Sequence, residues 1–144
     1  MAHPENVQAL LGEVRLADER LRMVEEALCS ELGLTPAMRG VLEVLAGGGR
    51  RTVPQLARVK SVTRQHVQAL VDVAWDRGLS EFLPNPDHLR SPLVALTPKG
   101  QAVVETLREV EQATVGELAG SVTTDVPAAL AVLRRLNAAL LRRL

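Results

Sequence analysis

Residues 52–79 read TVPQLARVKSVTRQHVQALVDVAWDRGL. Two short helices joined by a tight turn fit this stretch. Thr52 is placed to cap the first, VPQLARVK, which turns Val53, Leu56 and Ala57 toward a core. Ser61 or Thr63 caps the second, whose apolar stripe is Val67, Leu70, Val71 and Ala74 and whose stop is Gly78. The polar end of that second helix is unusual. Arg64, Gln65, His66 and Gln68 crowd its first two turns, and its first acid is Asp72.

The chain continues as LSEFLPNPDHLRSPLVALT. Leu79 to Leu83 and Leu93 to Leu96 are short strand-like runs on either side of Pro84-Asn85-Pro86-Asp87, a turn signal, so a hairpin with a long tip is expected. Pro92 marks the second run as an edge strand. A helix pair followed by a twisted hairpin is the plan of a winged helix-turn-helix, whose second helix enters the major groove of DNA. By helical spacing Arg64 and Gln68 stack one turn apart with Gln65 beside them, away from the core stripe. Arginine pairs with guanine edges and glutamine with adenine edges. Ser61 and Thr63 put hydroxyls and helix N–H groups where a phosphate would lie. Arg64 can meet either a base or a phosphate.

Upstream, Thr35-Pro36 opens a helix with the stripe Met38, Val41, Leu42 and Leu45. Gly47-Gly48-Gly49 ends it and forms a flexible link to the first strand. The run Gly47 to Arg51 lacks the Gly-Lys-Ser/Thr ending of a phosphate loop. Residues 5–32 read as one long helix stopped by Gly33. Val7, Val14, Leu21 and Leu28 recur every seven residues, with Leu10, Ala17 and Val24 in the second seam position. Such a helix runs roughly 40 Å, so it either crosses the whole domain or packs on a partner chain. Downstream, Thr97-Pro98 starts a fifth helix carrying Val103, Leu107, Val110 and Leu118. Thr123 to Asp125 begins a sixth, with Leu130, Leu133, Leu136, Leu140 and Leu144 on one side and Arg134, Arg135, Arg142 and Arg143 on the other. Asn137 lies within that stripe, either fixing dimer register or exposed.

Composition bounds the rest. The 144 residues suffice for one domain, and 47% are hydrophobic, so a core of Leu, Val and Ala is expected; Trp75 and Phe82 are the only aromatics. Trp75 is expected to pack. Net charge is zero, yet its distribution is uneven. Between Glu43 and Asp72 lie Arg50, Arg51, Arg58, Lys60 and Arg64 without an acid, whereas seven acids and three cations fall between Met1 and Glu31. The basic block surrounds the helix pair, and local field outweighs the sum. Cys29 is the single cysteine, so no intrachain disulfide forms, and its place beside the seam reads as structural. The first residues lack the character of a signal peptide, and no run of about 18 apolar residues exists. A reducing cytoplasm is the expected compartment. His3, His66 and His88 are scattered, so no metal site is expected; His66 and His88 are better read as phosphate or groove contacts. No nucleophile–base set, paired carboxylates or cofactor fingerprint is visible, so neither enzyme activity nor a cofactor is expected.

From Leu34 to Gly100 the chain resembles the MarR family of bacterial transcriptional regulators. The resemblance rests on LTPAMRGVLEVL, TVPQLARVKSVTRQHVQALVD, WDRGL and NPDHLRSPLVALTPKG. It implies a mostly α fold with a β-hairpin wing, in which 34–100 form the winged DNA-binding lobe and 5–32 and 101–144 the dimerisation helices of a single 1–144 domain. It further implies a homodimeric, ligand-responsive repressor that binds a near-palindromic double-stranded operator, with a cleft for small anionic or phenolic effectors and no membrane partner. The family wing often reads Asp-x-Arg; here the triplet is His88-Leu89-Arg90, so the resemblance retains Arg90 as the minor-groove residue and replaces its acidic brace by His88. The family turn before the recognition helix often carries Gly, where this chain has Lys60-Ser61. The rival reading is a winged helix that uses the same surface on a protein and does not bind DNA.

Overall fold

A computed structural model describes residues 1–122 and 125–144. The elements are α1 (Pro4–Glu31), α2 (Pro36–Gly48), β1 (Arg51–Thr52), α3 (Val53–Lys60), α4 (Arg64–Asp76), β2 (Ser80–Leu83), β3 (Leu93–Leu96), α5 (Pro98–Ser121) and α6 (Val126–Leu141). The start expected for α6 from Thr123 lies outside the described residues. The chain divides into two compact units, Met1–Glu109 and Val110–Leu144.

In the first unit, local chemistry sets the helix ends. Thr35 Oγ1 accepts from the Met38 N–H at 3.2 Å, and Pro36 occupies the first helical position of α2. Thr52 and Gln55 form a reciprocal capping box at α3: Thr52 N donates to Gln55 Oε1 at 2.9 Å, and Gln55 N to Thr52 Oγ1 at 3.3 Å. Thr63 caps α4 by accepting from His66 N at 3.1 Å. Ser61 instead ends α3 in the left-handed conformation, φ 54°, a conformation that glycine adopts without strain. The choice between Ser61 and Thr63 therefore resolves into two jobs, one stopping α3 and the other starting α4.

Two adjoining apolar clusters hold this unit together. Val41, Leu45, Leu56, Ala57, Val67, Val71 and Val94 bind the helix pair to α2 and the sheet. Cys29, Leu34, Met38, Leu42, Ala74, Leu79, Val104 and Leu107 bind the end of α1 and the start of α5 to the same body. Cys29 is fully buried there, in keeping with its structural reading. In α5 the buried residues are Gly100, Val104 and Leu107, whereas Val103 is only half-buried and Leu118 is exposed. Gly100 is required by space: a Cβ there would stand 2.0 Å from the Leu79 carbonyl oxygen. Thr97 accepts from Gly100 N at 3.0 Å and so starts α5 against the end of α4.

The sheet corrects one expectation. Its order is β1-β3-β2, both pairings antiparallel, so β3 is the central strand and not an edge. Pro92 immediately precedes β3 and removes no ladder donor from it. The third strand is the two-residue β1, with Arg51 opposite Val94 and Thr52 opposite Leu93. Gly47 and Gly48 accordingly complete α2, and only Gly49 and Arg50 connect it to β1. Trp75 is also corrected: it is 55% exposed on α4, because the inward stripe ends at Ala74.

In the second unit, α6 buries no residue within the chain. Leu133 and Leu136 are half-buried, while Leu130, Leu140 and Leu144 are exposed, and Asn137 is exposed beside them. No helix among the described residues is long and apolar enough to cross a membrane.

Candidate nucleic-acid interface

The core stripe of α4 fixes what its other faces can do. With Val67, Val71 and Ala74 buried, Arg64, Gln65 and Gln68 are exposed along the opposite side of the first two turns. Those side chains line a groove of about 590 Å³ together with Asp72. The floor and far wall come from Val53 and Pro54 at the start of α3, Phe82 of β2, and Arg90, Ser91 and Pro92 of the wing. Residues 64–72 and 90–92 thus meet in one concavity, although some twenty positions separate them in the chain. Two guanidinium groups and two amides face a largely apolar floor.

The wing tip is tied from within. Asn85 is buried; its Nδ2 donates to the Ser91 carbonyl at 3.0 Å, and its Oδ1 accepts from Asp87 N at 3.1 Å. One amide therefore clamps both arms of the loop that carries Arg90. The sequence reading took Asn85 for a turn residue only; an Asn between two prolines was the available signal. Within the groove, Gln68 Nε2 donates to Asp72 Oδ1 at 2.8 Å, one turn further along α4. Asp72 was read as the end of the acid-free stretch, not as part of the site.

The predicted residues do not all converge. Arg64, Gln65, Gln68 and Arg90 share the groove. His66 lies on another face of α4, lining a separate small apolar pocket of about 170 Å³ with Ala37, Val41, Lys60, Val62 and Leu70. Ser61, Thr63 and His88 are exposed but line neither. The Thr63 hydroxyl already accepts a helix N–H, which leaves its O–H to donate outward. Among the described residues, no group of three or more His, Cys, Asp or Glu is placed to hold a metal ion.

Further contacts anchor α4. Arg77, at its C-terminal end, donates through Nη1 to the Gly33 carbonyl and through Nη2 to the Leu32 carbonyl at 3.1 Å. Lys99 Nζ donates to the Arg77 carbonyl at 2.9 Å. The end of α1 and the start of α5 are thereby bonded to the same corner of the groove-bearing helix.

Comparison with solved structures places this arrangement. A crystal structure of a MarR family transcription regulator is 25% identical and superposes with a TM-score of 0.82, covering 96% of this chain and 89% of that one. A mutant MarR from E. coli, solved complexed with operator DNA, is 28% identical with a TM-score of 0.71 over 93% of this chain and 97% of that one. The chain has the fold of these MarR family regulators over nearly its whole length. Its winged helix-turn-helix, with six helices and a three-stranded antiparallel sheet among the described residues, is the MarR fold, and the proteins it superposes on are transcription regulators. Among curated proteins, the uncharacterised Rv2011c of Mycobacterium tuberculosis is 35% identical over 130 residues, 90% of this chain and 88% of that protein. The uncharacterised Mb2034c of Mycobacterium bovis matches to the same extent. No family model matches the sequence. Within the MarR frame, α3 and α4 are the helix-turn-helix and β2 and β3 the wing.

Proposed function

We propose that this MarR-family protein is a cytoplasmic homodimer that binds a near-palindromic duplex operator and represses transcription from it. One observation carries the reading: Arg64, Gln65 and Gln68 on α4 and Arg90 on the wing line a single groove. Arg64, Gln65 and Gln68 read base edges in the major groove. Arg90 enters the neighbouring minor groove, where a guanidinium gains most from the concentrated negative potential of narrow A·T runs. Ser61 and Thr63, exposed beyond the groove, contact the phosphate backbone, and His88 and His66, the latter on another face of α4, meet a phosphate or a groove wall. A relative solved with operator DNA supports the partner class.

Residues 1–144 function as one domain in this reading, with 34–100 as the DNA-binding lobe. Residues 5–32 and 101–144 dimerise, covering the apolar side chains that α1 and α6 leave exposed. A small anionic or phenolic effector releases the operator by binding more tightly to a dimer whose two lobes are spaced unfavourably for it; without such a difference in affinity it shifts nothing.

Titration of labelled duplex DNA across a salt series tests the proposal. Phosphate neutralisation lowers log affinity in proportion to log salt, by about 0.9 per phosphate contacted. A slope worth several phosphates, together with retention of particular sequences over a random duplex, is the expected result. Salt-independent or sequence-indifferent retention contradicts it and favours a winged helix that docks on protein.

A further inference from the structure

We propose that Asp72 is a positioning residue that sets which way the Gln68 amide faces, and so makes Gln68 a reader of adenine. The inference rests on α4 being the recognition helix and concerns a residue outside the reading surface expected from sequence. Its basis is the 2.8 Å hydrogen bond from Gln68 Nε2 to Asp72 Oδ1 inside the groove. The two residues lie one helical turn apart on the same face, with Arg64 one turn in the other direction.

The chemistry of the pair allows one orientation. An ionised carboxylate only accepts, whereas an amide has a donating end and an accepting end. Asp72 therefore holds the Nε2 end toward itself and turns Oε1 away from the carboxylate. One amide hydrogen goes to the carboxylate, and the other remains beside Oε1. An acceptor flanked by a donor complements adenine, whose major-groove edge offers the N6 hydrogens next to the N7 acceptor. Guanine offers O6 and N7, both acceptors, and meets Oε1 with repulsion. Cytosine offers the N4 hydrogens without a neighbouring acceptor on the same base, and so satisfies half of the edge. A free glutamine turns its amide over to suit guanine; one tethered to an accept-only neighbour does not.

The test is selection from random duplexes, followed by affinity measurements at each operator position, for wild type and four variants. Wild type should prefer adenine over guanine at one position of each half-site by about tenfold or more, the range of a good two-bond contact. Asp72→Asn places an amide that both donates and accepts beside Gln68, so the adenine-to-guanine ratio there should fall to within about twofold, other positions being unchanged. Asp72→Ala should relax the same position. Asp72→Glu retains an accept-only group and should retain the preference. Gln68→Ala locates the position by erasing its preference. If Gln68→Ala erases a preference that Asp72→Asn and Asp72→Ala leave intact, the positioning role is overturned while the recognition helix stands. If Gln68→Ala leaves every position unchanged, Gln68 reads no base, and both the proposal and this part of the recognition surface fall. Because both side chains are exposed on α4, these substitutions leave the core alone.

Discussion

The winged lobe and the long helices solve burial in opposite ways. Around the helix pair, α2, α3, α4 and the sheet interlock through Leu42, Leu45, Leu56, Val67, Val71, Leu79 and Val94, each almost fully buried, with Cys29, Val104 and Leu107 completing the core. In α1 the one buried residue is Cys29, at the end nearest the lobe, and in α6 there is none. Leu21, in the heptad seam of α1, is 62% exposed, and Leu140 of α6 is 45% exposed. Both regions carry regular apolar patterns, yet only one has the surface to pack against within its own chain. Periodicity reports that a face must be covered and not by what. The lobe, closed by the end of α1 and the start of α5, is therefore a body on which to mount a reading surface, and the exposed stripes of α1 and α6 are the faces whose cover must come from a second copy under the proposed function.

The largest expected effect breaks the comparison on the side of the helices. Leu133→Asp with Leu136→Asp places two carboxylates on the apolar side of α6. Sedimentation should report a monomer where wild type sediments as a dimer at micromolar concentration. Operator affinity should fall by about a hundredfold or more as two linked lobes become one. A soluble wild-type monomer would remove the dimer from the account.

Next comes the lobe's own closure. Gly100→Ala drives a Cβ into the Leu79 carbonyl, a backbone atom that cannot swing aside. The expected cost is at least about 2 kcal/mol, read as a lowered unfolding midpoint in denaturant. A variant as stable as wild type would show that α5 does not bear on the lobe there.

Smaller still is the wing. Arg90→Ala should weaken binding to every operator variant, most where the flanks are A·T-rich, and reduce the salt slope by about one unit. Unchanged affinity and slope would leave Asn85 clamping a loop without a task. The smallest effect sharpens the contrast on α1. Asp18 and Arg22 form an ion pair at 2.9 Å with both side chains largely in solvent. Arg22→Ala should shift stability by less than about 0.5 kcal/mol, since solvent screens such a pair. A larger loss would mean that Arg22 lies within a covered face.

Much of the fold was legible because its signals are local. Thr-Pro pairs, Thr52 and the glycines at 33, 49 and 78 mark helix ends through contacts three or four residues long. The stripes of α2 and α4 were legible for the same reason. What escaped depends on contacts distant in sequence. β1 is two residues long, too short for any period to register, and its pairing with β3 turned an expected edge strand into the central one. Trp75 was expected to pack although it lies just past the buried stripe, and it is instead exposed. The groove was half legible. Arg64, Gln65 and Gln68 followed from helical spacing, whereas their meeting with Arg90 follows from where the wing folds back. The Gln68–Asp72 bond was within reach, since residues four apart on a helix are neighbours, but Asp72 was read only for its charge. The Arg77 contacts to Gly33 and Leu32 span more than forty residues, and no local pattern announces them.

In the proposed function, α4 reads duplex sequence from the groove it shares with the wing. Sequencing the duplexes retained from a random pool tests it most directly, with wild type and an Arg64→Ala/Gln65→Ala/Gln68→Ala variant run side by side. Wild type should enrich two inverted half-sites whose centres lie about one helical turn apart, or a multiple of it. The variant should keep weak, salt-sensitive binding and enrich no motif. Enrichment of the same motif by both proteins, or of none by wild type, would contradict it.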